Sequence, residues 1–251
     1  MKGPLSYIGG KNRIASQLIA LIPKHKTYVE AFAGGAQVLF RKEPSEVEVL
    51  NDLDGELVNF YRVCQSHHEE LLRCLRYTLL SRKLYRLLAN TEPQNLTDIN
   101  RAARYFVIQK CSFGGHVTKR NFGIHVTKRP TFSPARIPKI IDAAYKRLLD
   151  VQIESLPYET VLKKYDRPAT FFYLDPPYYD RKFYNHNFSE QDFQTLEQNL
   201  SRLQGKFLLS INDHPFIRKT FAAYKIEEIS LPYSLQKHAG RRYTELVIRN
   251  Y

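Results

Sequence analysis

Two hydrophobic rhythms alternate along this chain. Short apolar runs of strand length occur at Thr27–Ala31, Glu46–Leu50, Val151–Ser155, Phe171–Leu174, Lys206–Ile211, Lys225–Leu231 and Tyr243–Arg249. Between them lie stretches with helical spacing. Ile14, Leu18, Leu21 and Ile22 place one apolar face on a helix over residues 12–22. The loop Phe32-Ala33-Gly34-Gly35 leads into a second helix over Ala36–Lys42, and Asp54 can cap a third that runs through Leu57, Val58 and Tyr61. Strand, loop, helix, strand, helix is the opening of a doubly wound α/β sheet. The rhythm then changes: His67–Ala89 and Thr97–Lys110 are helical with no strand pattern between them, which predicts an all-helical insert. Ser112–Arg129 turns to glycine, aromatic and β-branched residues. It carries an echo nine residues apart, His116-Val117-Thr118-Lys119-Arg120 and His125-Val126-Thr127-Lys128-Arg129. Two Val/Thr strands bridged through Asn121-Phe122-Gly123 would make a basic hairpin, although two copies do not distinguish a repeat from coincidence. Helical spacing resumes at Ile137–Leu149, and Ser189 with Asp192 resembles a capping box opening a helix to about Leu203. The sheet is thus split by the insert and completed after it.

At 251 residues and 43% hydrophobic content, the chain can hold one large domain, or one domain with a substantial insert. No apolar stretch reaches the length of a membrane span, and Lys11 and Arg13 interrupt the region where a signal peptide needs its apolar run, so a cytoplasmic protein is expected. Cys64, Cys74 and Cys111 are odd in number and lack metal-ligand spacing, which predicts buried free thiols and neither zinc nor a disulfide. The net charge of +13 points to a polyanionic partner. Its distribution sharpens this, because Arg62–Ala135 holds 13 basic against 4 acidic residues and so carries +9 of the total.

Candidate chemistry gathers where predicted strands end. Glu30 precedes the glycine loop, which lacks both the Gly-x-Gly-x-x-Gly spacing of a dinucleotide site and the Lys-Ser/Thr of a phosphate loop. Asp52 ends the second strand about twenty residues on, where an acid can accept two ribose hydroxyls. An adenosine without phosphates, attached to an amino acid, meets those demands. The run Phe171–Leu174 stops at Asp175-Pro176-Pro177-Tyr178, whose prolines end the ladder and force a turn at the strand's carboxyl edge. A carboxylate, exposed carbonyls and an aromatic ring placed there suit a planar substrate with an exocyclic amine. Taken singly, Asp52 serves equally as a turn residue, Gly9-Gly10 as an ordinary helix start, and the tetrapeptide as a capped turn.

In combination these residues resemble a known family. Tyr7-x-Gly9-Gly10-Lys11, Glu30-x-Phe32-x-Gly34-Gly35, Asn51-Asp52-Leu53, a helical insert and then Asp175-Pro176-Pro177-Tyr178 are similar, in this order, to the Dam-type DNA adenine-N6 methyltransferases. The resemblance extends to Asn121-Phe122-Gly123 with Lys128-Arg129-Pro130, to Ser210-Ile211-Asn212-Asp213 and to Thr244-Glu245-Leu246, and so covers essentially the whole chain.

The resemblance implies a Rossmann-like methyltransferase sheet with helices on both faces, formed by residues 1–58 and 139–251. It assigns 59–138 to a mainly helical target-recognition insert with a basic hairpin. It implies S-adenosylmethionine as cofactor, bound by Tyr7, Lys11, Asp52 and Asp175 in a pocket shaped by Glu30, Phe32, Gly34 and Gly35, with Lys11 meeting the cofactor's carboxylate. Asp175 and the Pro176 carbonyl would accept the two hydrogens of the adenine amine and aim its lone pair at the methyl group, with Pro177 completing the turn. Tyr178 would stack on a base flipped out of double-stranded DNA, with Phe188 as a second wall or as a core aromatic. Phe113, His116, Lys119, Arg120, Asn121, Lys128 and Arg129 would face the DNA, most of them positioning it without reading sequence. Cys111–Lys119 departs from members that methylate GATC, which leaves the recognition site open. No metal and no membrane are implied, and a monomer or weak dimer is expected. Cytosine N4, an RNA adenine, or a catalytically silent nucleic-acid binder on the same fold are the rival readings.

Overall fold

A computed structural model describes residues 1–7, 9, 11–79, 81–112, 122–123, 132–181, 187–231 and 243–251. Its centre is a seven-stranded sheet: β1 Thr27–Glu30, β2 Val47–Asn51, β3 Val151–Glu154, β4 Thr170–Leu174, β5 Lys206–Asn212, β6 Lys225–Leu231 and β7 Tyr243–Arg249. The strand order is β3-β2-β1-β4-β5-β7-β6. Strands β1 to β5 are parallel, and β7 enters antiparallel between β5 and β6. This is the doubly wound order with one antiparallel strand inserted, and it bears out the predicted Rossmann-like sheet.

Period-two alternation explains why both faces are covered. On β4, Phe171 and Tyr173 point to one core, while Phe172 and Leu174 point to the other. The first core is closed by α1 Ala15–Ala20, α2 Gly55–Ser66, α3 His68–Leu75, α4 Arg82–Asn90, α5 Asp98–Cys111 and α6 Ile137–Leu148. The second is closed by α7 Tyr158–Tyr165, α8 Glu190–Leu200 and α9 Pro215–Thr220. Each fully buried phenylalanine, such as Phe171 or Phe172, contributes about 1.5–3 kcal/mol through apolar area removed from water.

Local signals placed several elements correctly. The Asp54 side chain accepts from the amides of Glu56 and Leu57 to cap α2, and Ser189 and Asp192 form the predicted capping box of α8. The region from α3 to α5 is helical, as the spacing indicated. The limits 59 and 138 fall inside α2 and α6, which are continuous helices, and the inserted helices share one core with the sheet.

Two expectations are corrected. Residues 36–42 are successive turns and not a regular helix, because the Leu39 amide donates to the Glu30 carboxylate (3.1 Å) in place of a carbonyl four residues back, and Ala36 has φ of 46°. Cys74 is exposed, with Cys64 and Cys111 buried as predicted; all three are free. Phe122 forms an antiparallel bridge with Ser112, and Gly123 donates to the Cys111 carbonyl (2.7 Å), so these two residues fold back on the end of α5. The two copies of the basic echo lie outside the described residues.

Candidate active site

The strand order reverses between β1 and β4, so the loops leaving their carboxyl ends diverge and open a crevice. A cavity of about 390 Å³ lies there. Asn51, at the end of β2, braces its floor: the side-chain amide donates to the carbonyls of Ala31 (2.9 Å) and Leu156 (3.0 Å) and accepts from the Leu156 amide (2.9 Å). One buried amide thereby ties together the ends of three strands.

The glycine loop is held from two sides. Gly34 donates its amide to Asp52 Oδ2 (2.9 Å) and accepts from the Tyr61 hydroxyl at its carbonyl (2.8 Å). Its φ of +45° is left-handed, and a Cβ at this position would lie 3.1 Å from the Tyr7 ring, so glycine is required by conformation and by contact. Tyr7 packs equally closely on Gly35. Glu30 lies beneath the loop, with Oε2 accepting from the Tyr28 hydroxyl (2.9 Å) and the Leu39 amide (3.1 Å). Burial pushes its carboxyl up to about 8 against those two hydrogen bonds. Asp52 is raised to about 6 by burial, although the amides of Asp54 and Gly34 favour its charged form.

At the end of β4 the chain builds a buried polar cluster. Lys11 Nζ forms an ion pair with Asp175 Oδ1 and lies 3.2 Å from the Gly9 carbonyl, 3.0 Å from the Tyr178 hydroxyl and 3.2 Å from Glu245 Oε1. The Tyr178 hydroxyl donates to the Glu245 carboxylate (3.0 and 2.9 Å), and Ser210 bridges Asp175 (3.4 Å) and the Tyr173 hydroxyl (2.9 Å). Burial lifts the Asp175 carboxyl to about 6; Lys11 opposes the shift and Glu245 adds to it. For Lys11, burial lowers the ammonium, but Asp175 and Glu245 outweigh it and hold the group well above its ordinary value.

Tyr7, Lys11, Glu30, Phe32, Gly34, Gly35, Asp52, Asp175, Pro177 and Phe188 therefore converge on one cavity. Pro176 is buried behind it. Two side chains differ from expectation in what they touch. Lys11, expected to face a cofactor carboxylate, spends its donors on Asp175 and its neighbours. Tyr178, expected to offer an open ring, is 8% exposed with the Lys11 ammonium 4.8 Å from its ring centroid, because the buried Glu245 carboxylate needs its hydroxyl as a donor. Phe188 packs edge-on to Phe32 (5.8 Å) and beside Tyr158 (5.8 Å), forming an aromatic wall. Phe113, His116, Lys119, Arg120, Asn121, Lys128 and Arg129 lie outside the described residues. Next to them, Tyr85 bonds Ser112 (2.9 Å) and packs on Phe122.

Sequence reasoning did not place Tyr158, Asp54, Leu53, Leu156 or Glu245 among the site residues. Tyr158 and Leu156 follow β3, whose carboxyl end is the third edge of the same crevice, and strand order was the signal that could have pointed to them. Among the described residues no group of three His, Cys, Asp or Glu side chains could hold a metal ion, and no helix is long and apolar enough to cross a membrane.

Comparison with known proteins finds relatives along nearly the whole chain. The chain is 25% identical over 274 residues to the type II methyltransferase M1.LlaDCHI of Lactococcus lactis subsp. cremoris, covering 98% of this chain and 94% of the relative. It is 25% identical over 289 residues to the type II methyltransferase M.MjaIII of Methanocaldococcus jannaschii, covering 98% of each. A DNA N-6-adenine-methyltransferase of Escherichia phage P1 is 26% identical over 113 residues, which is 43% of this chain and 15% of that protein. The profile of one family spans residues 7–235, from the tyrosine that packs on the glycine loop to beyond β6, and the chain belongs to that family, the D12 class N6 adenine-specific DNA methyltransferases.

Proposed function

We propose that this protein uses S-adenosylmethionine to methylate N6 of an adenine flipped out of a short site in double-stranded DNA. One observation carries the choice of cofactor. In a chain of net charge +13, the cavity is lined, among the described residues, by six carboxyl groups, Glu30, Asp52, Asp54, Glu159, Asp175 and Asp192, against the single cation Lys11. Even with Glu30 protonated, such a pocket suits a cationic ligand and repels a phosphorylated one. S-adenosylmethionine brings a sulfonium and an ammonium, and when bound it supplies an electrophilic methyl group. Asp52 suits its ribose hydroxyls, while Leu53, Leu156, Phe32 and Tyr158 suit a purine.

The chain's own task is to orient a poor nucleophile. The adenine amine has its lone pair delocalised into the ring. Asp175, as a carboxylate, and the Pro176 carbonyl each accept one amine hydrogen, so the lone pair is directed out of the ring plane. Lys11 and Ser210 hold the Asp175 oxygen that faces them. Pro177 and Phe188 line the cavity beside the aspartate and exclude water from it. Residues 59–138 serve as the target-recognition segment, with Lys119, Arg120, Lys128 and Arg129 on phosphates.

Sequencing of plasmid DNA for methylated bases tests this reading, in cells free of adenine methylation that express either the wild-type chain or Asp175→Ala. N6-methyladenine at one short motif with the wild type alone is the expected result. No new mark with the wild type would overturn it.

A further inference from the structure

Glu245 lies on β7, opposite Asn212 of β5 and Ile229 of β6, and is 1% exposed. The residues that follow it, Leu246, Val247 and Ile248, are apolar core. A buried carboxylate is costly unless paired and hydrogen-bonded, and Lys11 is already paired with Asp175. Glu245 places a second carboxyl group on the one ammonium. A structural ion pair needs only one of them. Both Glu245 oxygens nonetheless accept from the Tyr178 hydroxyl, and Oε1 lies 3.2 Å from Lys11 Nζ.

We propose that Glu245 is a positioning residue for methyl transfer, holding the Tyr178 hydroxyl and the Lys11 ammonium in fixed places against the Asp175 carboxylate. This rests on the adenine-N6 reading above. Lys11 has three N–H donors, and its contacts with Asp175, the Gly9 carbonyl and the Tyr178–Glu245 pair point them in three directions. Opposing pulls from two carboxylates fix where the ammonium sits, and so fix the Asp175 oxygen bonded to it. With Glu245 neutral, Asp175 would become the sole anion bonded to Lys11, and the carboxylate would be drawn toward the lysine and away from the substrate amine. Glu245 touches neither substrate nor cofactor in this scheme; it acts through its two neighbours.

The same geometry predicts a change in ionisation. The groups facing Asp175 are Lys11 before α1, Glu245 on β7, Glu30 on β1, and the hydroxyls of Tyr173 and Ser210, while the Tyr178 hydroxyl reaches Lys11 and Glu245. Glu245 raises the Asp175 carboxyl as a like charge. Its removal therefore lets Asp175 ionise at lower pH.

The test is Glu245→Gln, which keeps the shape and an oxygen acceptor for Tyr178 but removes the charge. Single-turnover methylation of duplex DNA should slow by about tenfold or more, as for a misaligned reacting group, with S-adenosylmethionine affinity changed less than twofold and the acid limb of the rate profile moved to lower pH. A wild-type rate with an unmoved acid limb overturns the proposal. Glu245→Asp separates charge from reach: it should keep the acid limb in place and still lose rate, and a wild-type rate overturns the positioning role even if Glu245→Gln does not fold. Carbon-13 titration of the Asp175 side chain, assigned with Asp175→Asn, reads the same contact without catalysis. A wild type that methylates nothing removes the reaction reading, whereas an Asp175 midpoint that fails to fall in Glu245→Gln removes this one.

Discussion

The Gly34 amide donates to the Asp52 carboxylate at 2.9 Å, joining the loop after β1 to the end of β2 across 18 positions of sequence. Asp52 thereby has two tasks: it anchors the loop that forms one wall of the cavity, and it presents its carboxylate to that cavity.

Asp52→Ala removes both. Affinity for S-adenosylmethionine should weaken by about ten- to a hundredfold, the scale of one or two hydrogen bonds to a charged group. Titration calorimetry on the free enzyme measures it. Unchanged affinity would remove Asp52 from the cofactor site.

Gly34→Ala should lower the melting temperature by roughly 2–8 °C, from about 1–2 kcal/mol of left-handed backbone strain. A further loss comes from the Cβ that would stand 3.1 Å from the Tyr7 ring. In a Tyr7→Ala background the contact disappears and the strain remains. The glycine substitution should then cost less there, and equal costs in both backgrounds would show that the Tyr7 contact is immaterial.

Glu30 gives a pH dependence with a definite sign. Its folded carboxyl is raised from an ordinary 4.5 to about 8, so the folded protein binds this proton more tightly than the unfolded chain does. The stability it contributes is fully present below about 4.5 and is lost as pH rises through about 8. Glu30→Gln, a neutral stand-in for the protonated acid, should remove that part of the slope. Melting curves of the two proteins should converge near pH 5 and separate toward pH 8, with the variant the more stable. Parallel curves would mean that Glu30 does not titrate in this window.

Asp175 works against that trend. Its carboxyl is raised to about 6, and orienting the amine requires the carboxylate, so turnover should fall as pH drops through about 6. A rate profile flat from pH 5 to 8 would mean that Asp175 is already ionised throughout, or is not needed as an anion.

Neutralising Lys119, Arg120, Lys128 and Arg129 together should weaken duplex binding and flatten its dependence on salt by about 0.9 in log–log slope for each phosphate that these side chains neutralise. An unchanged slope would move the DNA face elsewhere on the protein.

Much of this protein was legible in its sequence because the signals are local. Short apolar runs of strand length marked all seven strands of the described sheet, and the caps at Asp54 and Ser189 marked where two helices start. Ala36–Lys42 misled for a nonlocal reason, since the bond that diverts the Leu39 amide comes from Glu30, nine residues earlier on β1. The helix α7 escaped notice between β3 and β4, and with it the aromatic contact of Tyr158 with Phe32 (5.3 Å).

The sequence by itself determined the class of fold, the succession of its strands and the chemical types at their ends, because propensity, apolar period and turn chemistry act over a few residues. Tertiary structure alone decided the partners. Lys11 and Asp175 are 164 residues apart, and Tyr178 and Glu245 are 67 apart. They meet because β7 enters antiparallel between β5 and β6, which carries Glu245 to the same sheet edge as the end of β4. A buried charge in that setting must take whichever donors the packing brings near, and no local pattern in the chain encodes that choice.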